Sequence, residues 1–184
     1  MSFDASLIEY CSPTLASIKA GSLFAVEPED WQDFFTEAAA LRRRLLPKGL
    51  QLRIVRCSSR RALCYLYRPA QLSAILHDEK TRRFLAAEGY RGTDEKEILD
   101  ELCRKLVKGG AFPHEIGVFL GYPLGDVIGF IQNKGQNCLC SGCWKAYTDA
   151  CAAEQQFNRL RKCQEVYKRL FALGRTLNQL TVAA

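Results

Sequence analysis

Several familiar signatures are missing from this chain of 184 residues. It has no GxxxxGK(S/T) loop and no GxGxxG behind a strand, which excludes nucleotide binding by a P-loop or a dinucleotide fingerprint. His114 and Glu115 could begin HExxH, but position 118 is Val118, so that zinc-protease arrangement is excluded as well. A second CxxC and a HxxxH, the usual companions of a structural zinc site, are absent. No uncharged apolar run is long enough to span a bilayer, and no membrane partner is expected. The opening residues MSFDASLIEY carry acids and no basic n-region, so a secretory leader is not expected and the expected location is cytoplasmic. No internal repeat or low-complexity linker divides the sequence.

What is present suits a globular protein. Hydrophobic residues make up 48% and charged residues 25%, enough for a sizeable core. The net charge of +6 is concentrated at Arg42-Arg43-Arg44, Arg60-Arg61, Arg82-Arg83 and from Arg159 to Arg169. These clusters read first as solvated helix ends and faces. Without a nucleic-acid motif beside them, nucleic acid is not the expected partner. Nine cysteines is a high and odd number, and without an export signal the thiols are expected to be reduced. Cys57, Cys64, Cys103 and Cys163 sit in periodic apolar patterns and read as small buried hydrophobes.

Along the chain, Ser6–Tyr10 and Pro13–Lys19 read as helical pieces broken at Ser12-Pro13-Thr14. Residues 22–26 read as a strand. A helix follows Glu27-Pro28-Glu29-Asp30, with Trp31, Phe34, Phe35, Ala38 and Leu45 on its apolar face, and it stops at Pro47-Lys48-Gly49. Alternation at Leu50, Leu52 and Ile54 and the run Ala62–Tyr67 predict a hairpin. Helices are predicted from Pro69, from about Glu79 to Glu88, and from a cap at Thr93 or Asp94 to Gly109-Gly110. Pro113 is placed at the first position of a helix ending at Gly121, and Pro123 opens the next, with Leu124, Val127, Ile128 and Ile131 on its face. Residues 138–147 suggest a hairpin folded at Ser141-Gly142. Thr148 or Asp149 caps a long last helix whose buried stripe is Phe157, Leu160, Cys163, Tyr167, Leu170 and Phe171. The predicted fold is α+β: a helix-rich single domain over residues 1–174, with a small sheet of short, mostly antiparallel strands and a long C-terminal helix. Residues 175–184 read as a frayed or loosely docked tail.

The densest run of specialised residues is FPHEIGVFLGYPLGDVIGFIQNKGQNCLCSGCWKAY, Phe112 to Tyr147. In a first helical turn, His114 and Glu115 would form a proton-transfer or ligand pair. Cys138, Cys140 and Cys143 include a CxxC that could hold Zn or Fe, with Cys151 or His114 as a fourth ligand, or serve redox chemistry; plain loop thiols are the commoner reading. Near the N-terminus, Cys11 lies before a proline-broken helix start that would favour a thiolate, with Thr14 and Lys19 nearby for an anionic ligand. Lys134 before Gly135 suggests an anion site. On a strand, Trp144 and Ala146 face one way, and Lys145 and Tyr147 the other. Lys145 and Tyr147 could line a pocket with His114.

The segments CSPTLASIKAGSLF, CYLYRP, FPHEIGVFLGYPLGDVIGFIQNKG and GCWKAY, with a late Cys-x-x-x-Tyr, resemble a bacterial family catalogued as domain of unknown function 3793. The resemblance covers nearly the whole chain. It implies a source among anaerobic bacteria and places Cys11, Pro13, Thr14, Lys19, His114, Glu115, Gly121, Pro123, Gly135, Trp144 and Lys145 at matching positions. The Cys-Leu-Cys-Ser-Gly-Cys loop departs from the family pattern, which has fewer thiols there. No activity comes with the resemblance.

The expectation is therefore a binder or enzyme for a small anionic or thiol-reactive molecule. In the enzyme form Cys11 is the nucleophile, His114 the base and Glu115 its orienter. Thr14, Lys19, Lys134, Trp144, Lys145 and Tyr147 would contact the substrate. The alternatives are a metal-binding or thiol-buffering protein using Cys138, Cys140 and Cys143, and a partner-binding or nucleic-acid-binding module using the basic last helix.

Overall fold

The structure is a computed structural model, and it describes residues 2–108 and 112–183. Gly109 and Gly110, expected after a helix, lie outside the described residues. The fold is α+β, and its contacts group the chain into two compact units, one of residues 1–70 and 160–184 and one of residues 71–159.

The first unit is built on a three-stranded antiparallel sheet in the order β1-β3-β2. Its strands are β1 (Gly21–Val26), β2 (Gln51–Cys57) and β3 (Ala62–Tyr67). The predicted hairpin is β2–β3, in register from Gln51↔Tyr67 to Cys57↔Ala62, with a bulge between Ile54 and Arg56. Two helices pack with the sheet, α1 (Phe3–Leu15) and α2 (Trp31–Leu45). Their apolar positions join Phe24, Leu52, Cys64 and Leu66 in one core. Asp30 caps α2 by accepting from Asp33 N–H at 2.8 Å. A 3-10 turn at Leu46–Lys48 and left-handed Gly49 (φ 72°) end that region, where the Pro-Lys-Gly signal placed the stop. Leu41, not on the predicted face, is buried in α2, while Phe35 is half exposed. After Gly174 the chain forms the short helix Leu177–Leu180, closed by a Thr176/Gln179 capping box, and Leu177, Leu180 and Thr181 are buried.

One sequence expectation is overturned in α1, which runs through Pro13 instead of breaking there. Proline has no N–H for the carbonyl four residues back, here that of Glu9. That carbonyl is not left idle, because the Gln164 side-chain amide donates to it. Sequence spacing could not show a donor 155 residues away. Replacing Gln164 by alanine is expected to cost about 1 kcal/mol, the net worth of one hydrogen bond. In a Pro13→Ala background, residue 13 regains its own donor, so the same Gln164→Ala change should cost less. A double-mutant cycle in urea reads the difference, and equal costs in both backgrounds would rule the account out.

The second unit is helical with one small hairpin. Three helices, α3 (Pro69–His77, entering from the first unit), α4 (Glu79–Ala87) and α5 (Glu95–Val107), follow where expected. Asp78 caps α4 and Asp94 caps α5. Then come α6 (Ile116–Phe119), α7 (Leu124–Gln132) and the hairpin β4 (Cys140–Ser141) with β5 (Lys145–Ala146). Asp149 caps α8 (Ala150–Ala172), accepting from Ala152 N–H at 3.0 Å, and only the first part of that long helix belongs to this unit. No helix among the described residues is long and apolar enough to cross a membrane.

Two further expectations change. The helix after Pro113 begins at Ile116, so His114 and Glu115 lie in the turn before it and not in its first turn. Of the four cysteines read as buried hydrophobes, Cys64 is buried, Cys103 and Cys163 are partly so, and Cys57 is exposed at the end of β2.

Candidate ligand-binding site

The second unit gathers several of the predicted residues around α7. The organising group is one that the sequence reading passed over, Asp126, an ionisable residue inside an apolar helix and only 2% exposed. Its Oδ2 accepts from the Trp144 indole N–H at 2.8 Å. Its Oδ1 accepts from Tyr147 N–H at 2.8 Å, Thr148 N–H at 3.0 Å and the Thr148 hydroxyl at 2.7 Å. Burial works to raise the Asp126 pKa, but these donors outweigh it and hold the carboxyl below the ordinary value. The effect is to fasten the β4–β5 hairpin to α7.

The hairpin arranges its side chains by strand alternation. Ala146 is fully buried and Trp144 packs with it against Phe157. The indole stacks on Tyr122 at 5.0 Å and meets Phe157 edge-on at 4.5 Å. With its N–H on Asp126 as well, Trp144 is committed to packing. Tyr147 takes the other side, against Gly129, where an added Cβ would come within 2.5 Å of the Tyr147 Cβ. No side chain larger than hydrogen fits between them. The Tyr147 hydroxyl is buried and, among the described residues, has no hydrogen-bond partner.

Lys145 points to the turn that closes α7. Lys134 (φ 50°) and Gly135 (φ 73°) are both left-handed there, and Lys145 Nζ donates to Gly135 O at 2.6 Å. Gly135 lies against the Phe130 ring, which its missing Cβ would touch at 3.1 Å. The exposed His114 ring packs on the same Phe130, with centroids 4.9 Å apart. So His114, Phe130, Gly135 and Lys145 form one corner, with Lys134 exposed beside it. Among the described residues no carboxylate pairs with Lys145.

Glu115 is not the orienter of His114. It is 5% exposed, and its Oε1 accepts from Lys105 Nζ at 2.7 Å and from the Tyr90 hydroxyl at 3.2 Å. Lys105 also donates to Glu88 O at 2.6 Å and lies 4.3 Å over the Tyr90 ring. This is a clamp between α5 and the start of α6. Burial, then the Glu115 charge, pushes the Tyr90 phenol far up, so it stays a donor.

Cys11, Thr14 and Lys19 belong to the first unit. There Thr14 and Ser22 share a 2.9 Å hydroxyl contact, and Cys11 is wholly buried. Burial drives its thiol far above the ordinary value, outweighing the Lys19 charge and a hydrogen bond with Ser22. A nucleophilic cysteine needs the opposite shift and an open sulfur. The expected proline-broken helix start, which would have lowered it, does not exist.

Cys140 is partly buried, with Sγ 3.8 Å from Ala150 O. Desolvation raises its pKa, and the nearby Glu154, Cys138 and Asp126 add to the rise. Cys138 is also partly buried, and Cys143 and Cys151 are exposed. Among the described residues no three His, Cys, Asp or Glu side chains converge as a metal site would require.

A protein family matches residues 7–181, nearly the full length of the chain. The chain belongs to the family described as Protein of unknown function (DUF3793). No curated protein and no solved structure matches it. The DUF3793 chain therefore has to be read from its own side chains. Its most connected polar residue, Asp126, carried a sequence signal that could have been used: an acid in GYPLGDVIGFI has no apolar role to play, and burying it demands donors.

Proposed function

We propose that this DUF3793 protein binds a small anion with a flat apolar part at the corner formed by His114, Phe130, Gly135 and Lys145. The observation that carries this reading is the Lys145 ammonium. It is held in place by the Gly135 carbonyl, and among the described residues no carboxylate meets its charge. A carboxylate or phosphate oxygen would complete it by a charge-assisted hydrogen bond. The Phe130 and His114 rings supply the apolar face, and exposed Lys134 adds attraction. In this reading Lys145 and Lys134 act as the binding residues expected of them, His114, expected as a base, contributes a ring face instead, and Cys11, Glu115, Trp144 and Tyr147 take structural roles. Without an activated nucleophile in the corner, the reading is binding and not turnover.

Thermal unfolding with benzoate, phenyl phosphate and neutral benzyl alcohol tests it. An anion at about tenfold over its Kd adds about 1.4 kcal/mol, which is about 3 °C for a chain of this size. The shift is expected with benzoate or phenyl phosphate, is absent with benzyl alcohol, and is lost in Lys145→Met. No shift at millimolar concentration, or an equal shift in Lys145→Met, defeats the proposal.

A further inference from the structure

The two edges of the first unit's sheet differ. On β2 the edge is blunted: Arg42 Nε donates to Leu52 O at 2.9 Å, and the bulge after Ile54 bends the strand. On β1 the outer backbone can be placed from the register. Ala20 continues the β1–β3 pairing opposite Arg68, and Arg68 N–H donates to Ala20 O. Counting in twos, Ser22, Phe24 and Val26 bond toward β3, and Leu23 and Ala25 direct their N–H and C=O off the sheet. Leu23 and Ala25 are partly exposed, and among the described residues nothing pairs with these groups.

That edge runs along a groove of about 1080 Å³. Phe24 and Tyr10 contribute apolar surface. Its charged lining is Glu27, Glu29, Asp30, Asp33 and Glu37 against the single Arg61, which is already paired with Glu27 at 2.7 Å. Asp30 and Asp33 serve the start of α2, where acids are favoured. Glu27, Glu29 and Glu37 have no such duty. In a chain of net charge +6, this local excess of carboxylates opposes the overall sign.

We infer that the β1 edge and its acidic groove dock an extended, Lys- or Arg-rich peptide segment of another protein, which adds as a fourth strand. Backbone pairing at Leu23 and Ala25 supplies affinity, and the carboxylates select cationic side chains. A second copy of this chain is the poorer occupant, because β1 against β1 would bring two sets of five carboxylates together.

The test uses the full chain and a fluorescein-labelled Lys-Val-Lys-Val-Lys-Val-Lys peptide, read by anisotropy at low and moderate salt. Saturable binding is expected, weakening as salt rises. Replacing two of the peptide's three valines by proline keeps its charge but prevents strand pairing, and should weaken binding at least about tenfold. On the protein, Ala25→Pro removes one outward donor without touching the β3 ladder, and the same loss is expected. Glu29→Lys/Glu37→Lys, at exposed positions, gives a second route to the answer if Ala25→Pro does not fold, and it too should weaken binding at least about tenfold. The inference is overturned by absence of binding at low salt, by equal binding of the proline peptide, by unchanged binding to the charge-reversed protein, or by a dimer that the peptide does not dissociate.

Discussion

Arg68→Met is expected to destabilise the first unit by about 3 kcal/mol or more, a larger loss than any surface change would produce. The side chain is 1% exposed. Its Nε donates to Thr14 O at 2.7 Å, and its Nη2 to Leu15 O at 2.8 Å and Val182 O at 2.7 Å. Nη1 reaches Lys48 O at 3.3 Å. One guanidinium thus joins the end of α1, the turn after α2 and the C-terminal segment. Among the described residues it has no carboxylate partner. Its compensation is a ring of carbonyls, two of them at the negative end of α1, where a cation is favoured. Methionine of similar length fills the space but removes the charged donor from all four carbonyls, of which Thr14 O and Leu15 O keep a backbone N–H from Ser17 and Val182. Arg68→Lys should recover about half of the loss at most, since a single ammonium cannot reproduce a planar fork aimed at separate acceptors. Urea unfolding followed by circular dichroism gives both numbers. A Met variant within about 0.5 kcal/mol of the parent, the range of ordinary surface changes, would show that the network is incidental.

The same residue illustrates what the sequence could and could not disclose. Period-2 alternation located β2, the apolar run Ala62–Tyr67 located β3, and Pro, Asp and Gly signals located the ends of α2, α4 and α5, because those features are set by residues close in sequence. Arg68 follows the apolar run of β3 and precedes Pro69, so locally it reads as a polar strand end. Its four acceptors come from three distant segments. Pro13 fails as a helix breaker for the same reason, since Gln164 satisfies the carbonyl that proline orphans. In the candidate site, the alternation of Trp144, Lys145, Ala146 and Tyr147 was legible and puts Lys145 at the Gly135 turn. The role of Glu115 was not, because its partners Lys105 and Tyr90 lie on other elements and displace the adjacent His114 from consideration. Nor was the place of Cys11 legible, because α1 does not stop at Pro13: a thiol expected at an open helix start is instead inside a continuous helix, facing the core.

Asp126→Ala should cost about 3 kcal/mol or more in the second unit, at about 1–3 kcal/mol for each buried donor left unsatisfied, because it strands the Trp144 indole N–H and removes the acceptor for two backbone amides and the Thr148 hydroxyl. Asp126→Asn is the sharper probe. The amide oxygen can still serve the three donors that meet Oδ1, but its NH₂ then faces the Trp144 N–H, donor against donor, for a loss of about 1–3 kcal/mol. The parent and either variant also separate in pH dependence. Hydrogen bonding holds the folded-state pKa of Asp126 below the ordinary carboxylate value. A carboxyl with a depressed folded pKa contributes stability that is complete above its unfolded value, about 3.9, and is lost as pH falls through the folded one. The wild-type unit should therefore weaken progressively below about pH 4, and Asp126→Asn, which has no proton to take up, should show a shallower acid slope. In a Trp31→Phe background the remaining indole is Trp144, so its emission reports the hairpin directly as pH is lowered. An Asn variant with the stability and acid slope of the parent would mean that α7 and the hairpin are held by apolar contact alone. In that case Lys145 would reach the Gly135 turn without the anchor argued for it, and the binding corner would lose its rigid support.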